Sequence, residues 1–489
     1  MHYLPVIVTF ATYFLMILAI GYIASRYTNN LSDYVLGGRS LSGPIAALGA
    51  GASDMSGWLL LGLPGAVFSM GLNQIWLPVG LSIGAYINWL LIAKRLRIYT
   101  EVANDSLTIP AYLEHRFHDN TAILRSVTGI VILIFFTIYA SAGFVGGALL
   151  FQSTFDISYE HALWISALFL VLYTSIGGFL AVNWVDFLQG TLMLFALIIV
   201  PSMVIFELGG WHHTLHSAQQ LNTHLTQAFR GLNTIGIISL LAWGLGYFGQ
   251  PHILVRFMAA KSTQVLPMAR RICMNWMVLS LAGSIMTGFV GIAYYNDASL
   301  NQPETVFLSL ATDLFNPWVA GILLAAVLSA IMSTIAAQLL ASSSALTADF
   351  YHRFFRKHAS QKELVSVSRL TVWLIALVAI LLARNPESRV LTLVSHAWAG
   401  LGASFGPIIV VSLFWRNATR DGAIAGIISG AISIFLFQYL QRFGGIFAIY
   451  EIVPAFFIGT MMIIIVSKRS TPANAVLTDF DKVKAHLHQ

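Results

Sequence analysis

Apolar runs of about 20 residues recur along nearly the whole chain, and they constrain the fold more than any other feature. A run of that length and composition is what an α-helix needs to cross a bilayer. Hydrophobic residues make up 57% of the 489 residues and charged residues only 9%, whereas a soluble protein carries many more charged side chains. The chain is therefore predicted to be an all-α polytopic membrane protein. A β-barrel is excluded, because its strands alternate apolar and polar residues.

The runs predict thirteen spans, near residues 4–25, 41–70, 73–93, 121–151, 159–182, 185–207, 234–256, 272–295, 318–348, 368–384, 391–414, 421–440 and 446–467. The first 25 residues contain no Lys or Arg, so they predict a retained span and not a secretory signal. Residues 108–117 predict a short interfacial helix opened by a proline. The 20 residues after Arg469 are polar, and we expect them to be mobile.

The basic residues predict the orientation of the chain. With the N-terminus outside, 22 of the 26 Lys and Arg residues fall in loops or helix ends on the cytoplasmic side, together with the C-terminus. The other side keeps Arg230, Arg384, Arg389 and Arg442. So strong a bias is the positive-inside pattern, and it explains the net charge of +6 without a nucleic-acid partner. One cysteine, Cys273, excludes an internal disulfide.

Two of the predicted spans carry clusters of helix-breaking residues. The second contains "GAGASDMSG" and the seventh "WGLGYFGQPH", in which Pro251 lacks a backbone N–H. Four spans separate the two, and four more follow the seventh. This spacing predicts two inverted five-helix repeats, 41–207 and 234–414, flanked by peripheral helices at 4–25 and 421–467 and by a tail at 468–489. Paired interrupted helices mark the midplane site of secondary transporters. The alternative is that the glycines only permit close helix packing.

Polar side chains in these spans indicate where an ion could bind. Asp54 is the deepest acid in any predicted span, where a charge costs at least about 2.5 kcal/mol. It could cap the half-helix that follows, make the cavity attractive to a cation, or do both. Ser333 and Thr334 follow Ala330 by one turn on the ninth span. Their hydroxyls could serve as cation ligands or simply bond to the preceding turn.

Aromatic residues flank both breaks at depths that suit a cavity wall more than an interfacial belt. They are Trp58, Tyr139, Trp243 and Tyr247, and such a wall fits a small solute with a compact apolar body and a charged head. An enzyme is not expected. Only His252 and His396 fall within or at the end of a span, too few for haem or metal chemistry, and no phosphate-binding loop or zinc motif is present.

Four long blocks resemble the solute:sodium symporter family, and most of all its sodium/proline symporters. They are "DYVLGGRSL", "GASDMSGWLLLGLPGAVF", "WGLGYFGQPHILVRFMAA" and "MSTIAAQLLASSSALTADFY", and the likeness extends to about residue 465. The resemblance implies a LeuT-type fold with thirteen spans. It also implies symport of L-proline with a co-transported sodium ion across the inner membrane. No obligatory protein partner is expected.

The same resemblance assigns roles to particular residues. It implies a sodium site made by the backbone carbonyls of Ala52, Met55 and Ala330 with the hydroxyls of Ser333 and Thr334. Asp54 and Arg39 match positions linked to coupling. Positions linked to substrate binding and gating are Ser56, Gly57, Trp58, Tyr139, Trp243, Tyr247 and Pro251. The substrate itself depends on the resemblance. The alternatives left open are another small solute (a different amino acid, a vitamin or a sugar) carried by the same fold, or a sodium-dependent sensor or channel.

Overall fold

The computed structural model describes residues 3–27, 31–295, 300, 302–385 and 387–487. These residues form helices and no strand, apart from one isolated bridge between Leu41 and Ala260. The helices are α1 (Leu4–Ser25), α2 (Leu31–Leu36), α3 (Gly43–Asp54), α4 (Leu63–Met70), α5 (Trp76–Ile87), α6 (Ala93–Val102), α7 (Ile109–Arg116), α8 (Ile123–Phe155), α9 (Tyr159–Glu207), α10 (Trp211–Leu221), α11 (Thr234–Leu241), α12 (Pro251–Ala259), α13 (Leu266–Tyr295), α14 (Val306–Leu314), α15 (Pro317–Ser344), α16 (Gln361–Leu382), α17 (Val390–Phe414), α18 (Arg420–Leu440), α19 (Ile452–Arg469) and α20 (Asn474–Leu487).

Among the described residues, ten helices are long and apolar enough to cross a membrane. The protein is therefore a multi-pass membrane protein. The other three expected spans also have counterparts, in two interrupted helices and in the first part of α9. Within the bundle, α15 is the most enclosed helix, with 89% of its most apolar window buried. It packs against α3, α8 and α9, so a ligand held between α3 and α15 is surrounded by protein.

The second expected span is interrupted, as predicted, and the break lies at Met55 and Ser56. Helix α3 ends at Asp54, and Met55 leaves the helical region with φ −83° and ψ 76°. The backbone N–H of Ser56 donates to the Asp54 carbonyl at 3.0 Å and makes no ordinary helical bond. The chain resumes through a wide π-helical turn, Trp58–Gly62, before α4. Such turns are frequent at functional sites.

The seventh expected span is also interrupted, and a segment that is not α-helical, called the unwound segment below, precedes the break. Residues Ala242–Gly249 form a 3₁₀ helix, which is unusually long for this tighter, less stable form. Gln250 then adopts an extended conformation with φ −86° and ψ 105°. Pro251 begins α12, where its missing N–H costs nothing because the first helical N–H groups have no partner.

The glycines of both clusters serve close packing, and the breaks themselves fall on other residues. None of the glycines in the two clusters has a positive φ. A methyl group on Gly244 would lie 2.3 Å from the carbonyl oxygen of Gly80, and one on Gly246 would lie 2.0 Å from the indole nitrogen of Trp398. The non-helical dihedrals thus fall on Met55 and Gln250 and not on a glycine. The glycines of the second cluster bring α5 and α17 against the unwound segment.

One span boundary differs from the prediction. The fifth and sixth spans were expected to meet at residues 183–184, but helix continues through these positions. The chain turns instead at Gly178, whose φ of 66° and ψ of −173° are accessible mainly to glycine. A side chain there would also meet the ring of Tyr34 at 3.0 Å. The shift places residues 183–189 inside a helix and not at its end, and Asn183, Asp186 and Gln189 are buried there.

The short helix α7 confirms the expected helix at 108–117. Thr108 precedes it, and its hydroxyl accepts a hydrogen bond from the backbone N–H of Ala111 at 3.2 Å, which is a typical N-cap. Pro110 lies in the first turn. On the same face of the molecule, Arg39 pairs with Asp105 at 2.8 Å. Loops that the charge pattern assigns to one side of the membrane thus contact each other.

The C-terminal tail is not the mobile segment that its polarity suggests. Residues Asn474–Leu487 form α20, which packs on α6. Tyr99 and Phe480 place their ring centroids 6.5 Å apart, and Arg416 binds Asp481 at 2.8 Å. Burial alone would raise the pKa of Asp479, but hydrogen bonds from Lys482 and His118 lower it below its usual range. The tail is amphipathic, and its apolar face packs against α6.

Phe480→Ala is expected to release α20 from the rest of the protein. Burying a large apolar side chain stabilises by roughly 1–2 kcal/mol when burial is partial, whereas an exposed ion pair contributes about 0–1 kcal/mol. Hydrogen exchange of residues 474–487 in lipid nanodiscs should therefore speed up more in Phe480→Ala than in Asp481→Asn. The opposite order would mean that the ion pair with Arg416 holds the tail.

Candidate functional site

The first break adjoins the middle of α15, where polar groups from both helices meet. The hydroxyl of Ser333 donates to the carbonyl oxygen of Ala52 at 2.9 Å and lies 3.0 Å from that of Ala330. Ala52 lies in the last turn of α3, where the helix no longer supplies every carbonyl with a partner. Ser333 therefore connects the broken helix to α15 through oxygen atoms of both.

Two further oxygens of this region are buried without a hydrogen-bond partner in the part of the chain that is described: Thr334 Oγ1 and Asp54 Oδ1. Met55, at the break, is fully buried. Buried polar atoms are normally paired, and an exception asks for a water, an ion or a catalytic role. Carbonyl and hydroxyl oxygens are the ligands that a hard monovalent cation takes. The oxygens gathered here fit such an ion.

The two broken helices are joined to each other by a buried hydrogen bond. The hydroxyl of Tyr247, in the unwound part of the second, donates to Asp54 Oδ2. The indole N–H of Trp58 donates to the Asp54 carbonyl at 3.2 Å. Only 2% of Asp54 is exposed, so its carboxyl group lies between both breaks, out of contact with bulk water.

Aromatic rings cluster near this carboxyl group. Trp58 and Trp243 lie 6.5 Å apart between ring centroids. Tyr247 meets Trp398 edge-on at 5.1 Å. Sequence reasoning missed Trp398, on α17, although a tryptophan in the middle of the eleventh expected span was a visible signal. The sequence-predicted aromatics from both broken helices are thus brought to one place.

Side-chain amides and an indole hold the unwound segment Ala242–Gly249 in position. Asn88 Nδ2 donates to the carbonyl of Tyr247 at 3.0 Å, and Trp398 Nε1 donates to that of Trp243 at 2.7 Å. Gln250 Nε2 in turn donates to the carbonyl of Trp398 at 3.1 Å. These bonds satisfy backbone groups that an α-helix would pair internally. No sequence pattern identifies Asn88 or Gln250 as residues that support this segment.

Tyr139 and Pro251 lie toward the face of the molecule that carries α7. The Tyr139 ring packs edge-on against His252, with centroids 6.2 Å apart. Pro251 lines a narrow cleft of about 40 Å³ that continues past Thr108 to Asp349. This cleft connects the region of the second break with the surface beside α7.

Ser56 and Gly57 complete the first break, and both are buried. The backbone N–H of Trp58 donates weakly to the Ser56 hydroxyl, at 3.4 Å. A side chain on Gly57 would lie 2.9 Å from Ile331, so glycine is required for α15 to approach so closely. The packing of Gly57 thus sets the distance between the break and the helix that carries Ser333.

Arg39 stands apart from these groups. It has a left-handed backbone, with φ 53°, and its guanidinium donates to the carbonyls of Met258 at 2.6 Å and Ser106 at 3.1 Å. With its ion pair to Asp105, it ties the chain before α3 to the end of α12. Arg39 thus links the ends of both broken helices on one face, without touching the central cluster.

A buried pair of opposite charges was not predicted from the sequence. Asp186 and Arg256 are both buried and lie 3.4 Å apart. Asp54 is therefore not the most enclosed acid, since Asp186 and Asp349 are fully buried. The expected boundary at 183–184 had placed Asp186 near a helix end, which concealed its depth. Its partner Arg256 had been assigned to the cytoplasmic basic residues.

Comparison with known proteins gives one consistent family. The family described as "Sodium:solute symporter family" matches residues 34–430. A sodium/proline symporter of Escherichia coli (strain K12) is 53% identical, over 99% of this chain and 97% of its own length. The high-affinity proline transporter PutP of Bacillus subtilis (strain 168) is 49% identical, over 96% of this chain and 100% of its own length.

Two solved structures share the fold. One is a Na⁺-coupled sialic acid symporter in a substrate-bound outward-open state, with a TM-score of 0.82, 18% identity, and coverage of 96% of this chain and 98% of that one. The other is MhsT with L-phenylalanine, with a TM-score of 0.56, 14% identity, and coverage of 87% and 97%. The fold is thus the LeuT type, as the family resemblance implied.

Proposed function

Because the chain belongs to the sodium:solute symporter family, we propose that it takes up L-proline together with sodium by alternating access. The proline assignment is supported by relatives at 49–53% identity that are named for proline transport. The sodium assignment is carried by one observation: the Ser333 hydroxyl meets the carbonyls of Ala52 and Ala330 beside the Thr334 hydroxyl, which has no hydrogen-bond partner among the described residues.

In this proposal sodium binds between α3 and α15. Its ligands are the carbonyls of Ala52, Met55 and Ala330 and the hydroxyls of Ser333 and Thr334. When sodium is present, Ser333 turns its lone pairs to the ion, and the hydrogen bond to Ala52 is replaced by shared coordination. The ion then holds the broken helix against α15. Asp54 supplies the negative charge that makes entry of a cation favourable.

Proline is proposed to bind beside the ion, among Ser56, Gly57, Trp58, Tyr139, Trp243, Tyr247 and Pro251. The N-terminus of α12 at Pro251 offers a positive dipole for the substrate carboxylate. Carbonyls of the unwound segments accept hydrogen bonds from the secondary ammonium. The rings of Trp58 and Trp243 cover the apolar pyrrolidine ring.

Coupling follows from the hydrogen bond between Tyr247 and Asp54. Sodium bound to the Met55 carbonyl fixes the position of the neighbouring Asp54. The hydrogen bond from Tyr247 then couples the second broken helix to Asp54. Each sodium ion that enters gains about 2.3 kcal/mol per 100 mV of membrane potential, which drives the substrate inward. Arg39, which connects the ends of both broken helices on the α7 face, is proposed to coordinate their movement.

The proposal includes the topology. Residues 41–207 and 234–414 form the two inverted repeats, with 4–25 and 421–467 as peripheral helices and 468–489 as the tail. The N-terminus lies outside and the C-terminus in the cytoplasm, in the inner membrane. The contact between Arg39 and Asp105 supports this arrangement, because it joins two loops that the charge pattern assigns to the cytoplasm.

A symporter of the same fold for another small solute is the second candidate. The aromatic wall does not by itself distinguish proline from a different compact amino acid, and the Na⁺-coupled sialic acid symporter shows that the fold carries other solutes. Competition distinguishes the two. An excess of unlabelled proline should suppress uptake of any other solute, with half-inhibition at the concentration that half-saturates proline uptake.

Proteoliposomes test the proposed function directly. Purified protein should concentrate labelled proline under an inward sodium gradient, and replacing sodium with choline should abolish accumulation. A gradient of sodium combined with a negative interior potential should accumulate more than either alone. Accumulation that is equal without sodium, or absent altogether, would contradict the proposal.

A further inference from the structure

A tyrosine outside the two proposed five-helix repeats stacks on one of the rings proposed to cover the substrate. Tyr450 precedes α19 and lies almost parallel to Trp243, with 5.4 Å between ring centroids and 27° between ring planes. Trp243 also lies near Trp58, at 6.5 Å and 44°. Of these two neighbours, Tyr450 is the closer and the better aligned with Trp243.

Tyr450 is held from several sides. Its hydroxyl donates to the carbonyl of Ser395 on α17 at 2.6 Å. Its backbone N–H donates to the hydroxyl of Ser239 on α11 at 2.9 Å. Only 8% of the residue is exposed. Contacts to α11 and α17, which both pack against the unwound segment, therefore fix the position of the ring.

The residue that follows Tyr450 adds a second anchor. The carboxylate of Glu451 is 2% exposed and meets His396 Nδ1 at 2.6 Å. It also accepts a hydrogen bond from Gln441 Nε2 at 2.8 Å. Gln441 follows α18 and His396 lies on α17, so Glu451 joins both peripheral helices to the core. A buried carboxylate with two partners is a strong positional constraint.

We propose that Tyr450 is a positioning residue for substrate binding: it holds Trp243 over the proposed proline site, with Glu451 anchoring the segment that carries it. The peripheral pair α18–α19 thereby contributes to substrate retention. This inference rests on the proposed function. Without the stacked ring, Trp243 keeps its backbone support from Trp398 but loses the contact that orients its side chain toward the cavity.

The test compares Tyr450→Leu with Phe447→Leu, since Phe447 belongs to the same segment and is 38% exposed. In proteoliposomes with saturating sodium, Tyr450→Leu should raise the proline concentration for half-maximal uptake about three- to tenfold, the range that an aromatic pair supplies. Phe447→Leu should leave it unchanged. Half-saturation by sodium should stay within about twofold in both variants.

Tyr450→Phe separates ring stacking from the hydrogen bond to Ser395. It keeps the ring, so we expect half-saturation by proline to return close to that of the parent protein. A general loss of folded protein lowers the maximal rate and not the half-saturating concentration. If Tyr450→Leu lowers only the maximal rate, or Tyr450→Phe fails to rescue, the positioning role is wrong.

Hydrogen exchange provides a readout that needs no substrate. In nanodiscs, Tyr450→Leu should speed exchange of the amides of residues 242–249, whereas Phe447→Leu should not. Unchanged exchange would overturn the inference even if proline uptake is confirmed. Failure of the parent protein to accumulate proline would instead contradict the proposed function, and the exchange comparison would still decide whether Tyr450 holds the unwound segment.

Discussion

Replacing Ser333 and Thr334 together by alanine is expected to raise the sodium concentration for half-maximal proline uptake by roughly 30- to 150-fold. Each hydroxyl is a neutral ligand whose loss costs about 1–1.5 kcal/mol, and two such losses multiply the half-saturating concentration by that factor. Both side chains are buried between α3 and α15, so water replaces them poorly. Half-saturation by proline at very high sodium should change much less, because the substrate contacts other residues.

Ser329→Ala is the matched control. Ser329 is a fully buried serine of the same helix, and its hydroxyl donates to the carbonyl of Ala325 at 2.8 Å. Its removal costs a similar hydrogen bond and leaves the proposed ion ligands intact. The measurement is uptake over a range of sodium concentrations at constant ionic strength. An unchanged sodium dependence in the double variant, or an equal shift in Ser329→Ala, would remove these hydroxyls from the site.

The positions of the spans and the existence of both breaks were predictable from the sequence. The length of an apolar run identifies a span because a helix in a bilayer must be apolar over the thickness of the hydrocarbon core. Each segment must meet this requirement on its own, whatever its contacts with the rest of the chain. Clusters of Gly, Pro and Asp identify an interrupted helix for the same local reason. The resemblance brought together Asp54, Trp58, Trp243 and Tyr247, and the structure places these side chains around one buried region.

Contacts between distant segments were not predictable. Met55 and Gln250 carry the non-helical dihedrals, although neither residue type favours a break; the packing of neighbouring helices decides. Trp398 and Tyr450 stand in ordinary apolar surroundings in the sequence, and only the fold shows that both rings meet the unwound segment. The turn at Gly178 was missed because a lone glycine in an apolar run is common in membrane helices.

The tail shows the opposite error, because the average polarity of its residues led to the wrong prediction of a mobile segment. Residues 474–487 are polar on average, yet Val476 and Val483 are buried and Phe480 packs on Tyr99. The spacing of seven between the two valines is a helical period, and it was visible in the sequence. Average polarity describes the exposed face of such a helix and conceals the narrow apolar face that binds it to the protein.

Asp54→Asn is expected to reduce apparent sodium affinity at least about 30-fold. An asparagine has nearly the same shape and can still accept a hydrogen bond from Tyr247, so the substitution removes mainly the charge. At an effective dielectric constant of about 20, a carboxylate roughly 8 Å from the ion attracts it by about 2 kcal/mol, and one at 4 Å by about 4 kcal/mol. The affinity ratio therefore distinguishes attraction at a distance, about 30-fold, from direct contact, about 1,000-fold.

Tyr247→Phe is the control that makes this comparison interpretable. It removes the hydrogen bond to Asp54 Oδ2 and keeps the charge, so it should alter proline half-saturation more than sodium half-saturation. Sodium binding is measured by the thermal protection that sodium gives the purified protein in the absence of proline. If Asp54→Asn shifts sodium protection no more than Tyr247→Phe does, the carboxylate serves the link between the two breaks. Its charge would then contribute little to the capture of the ion.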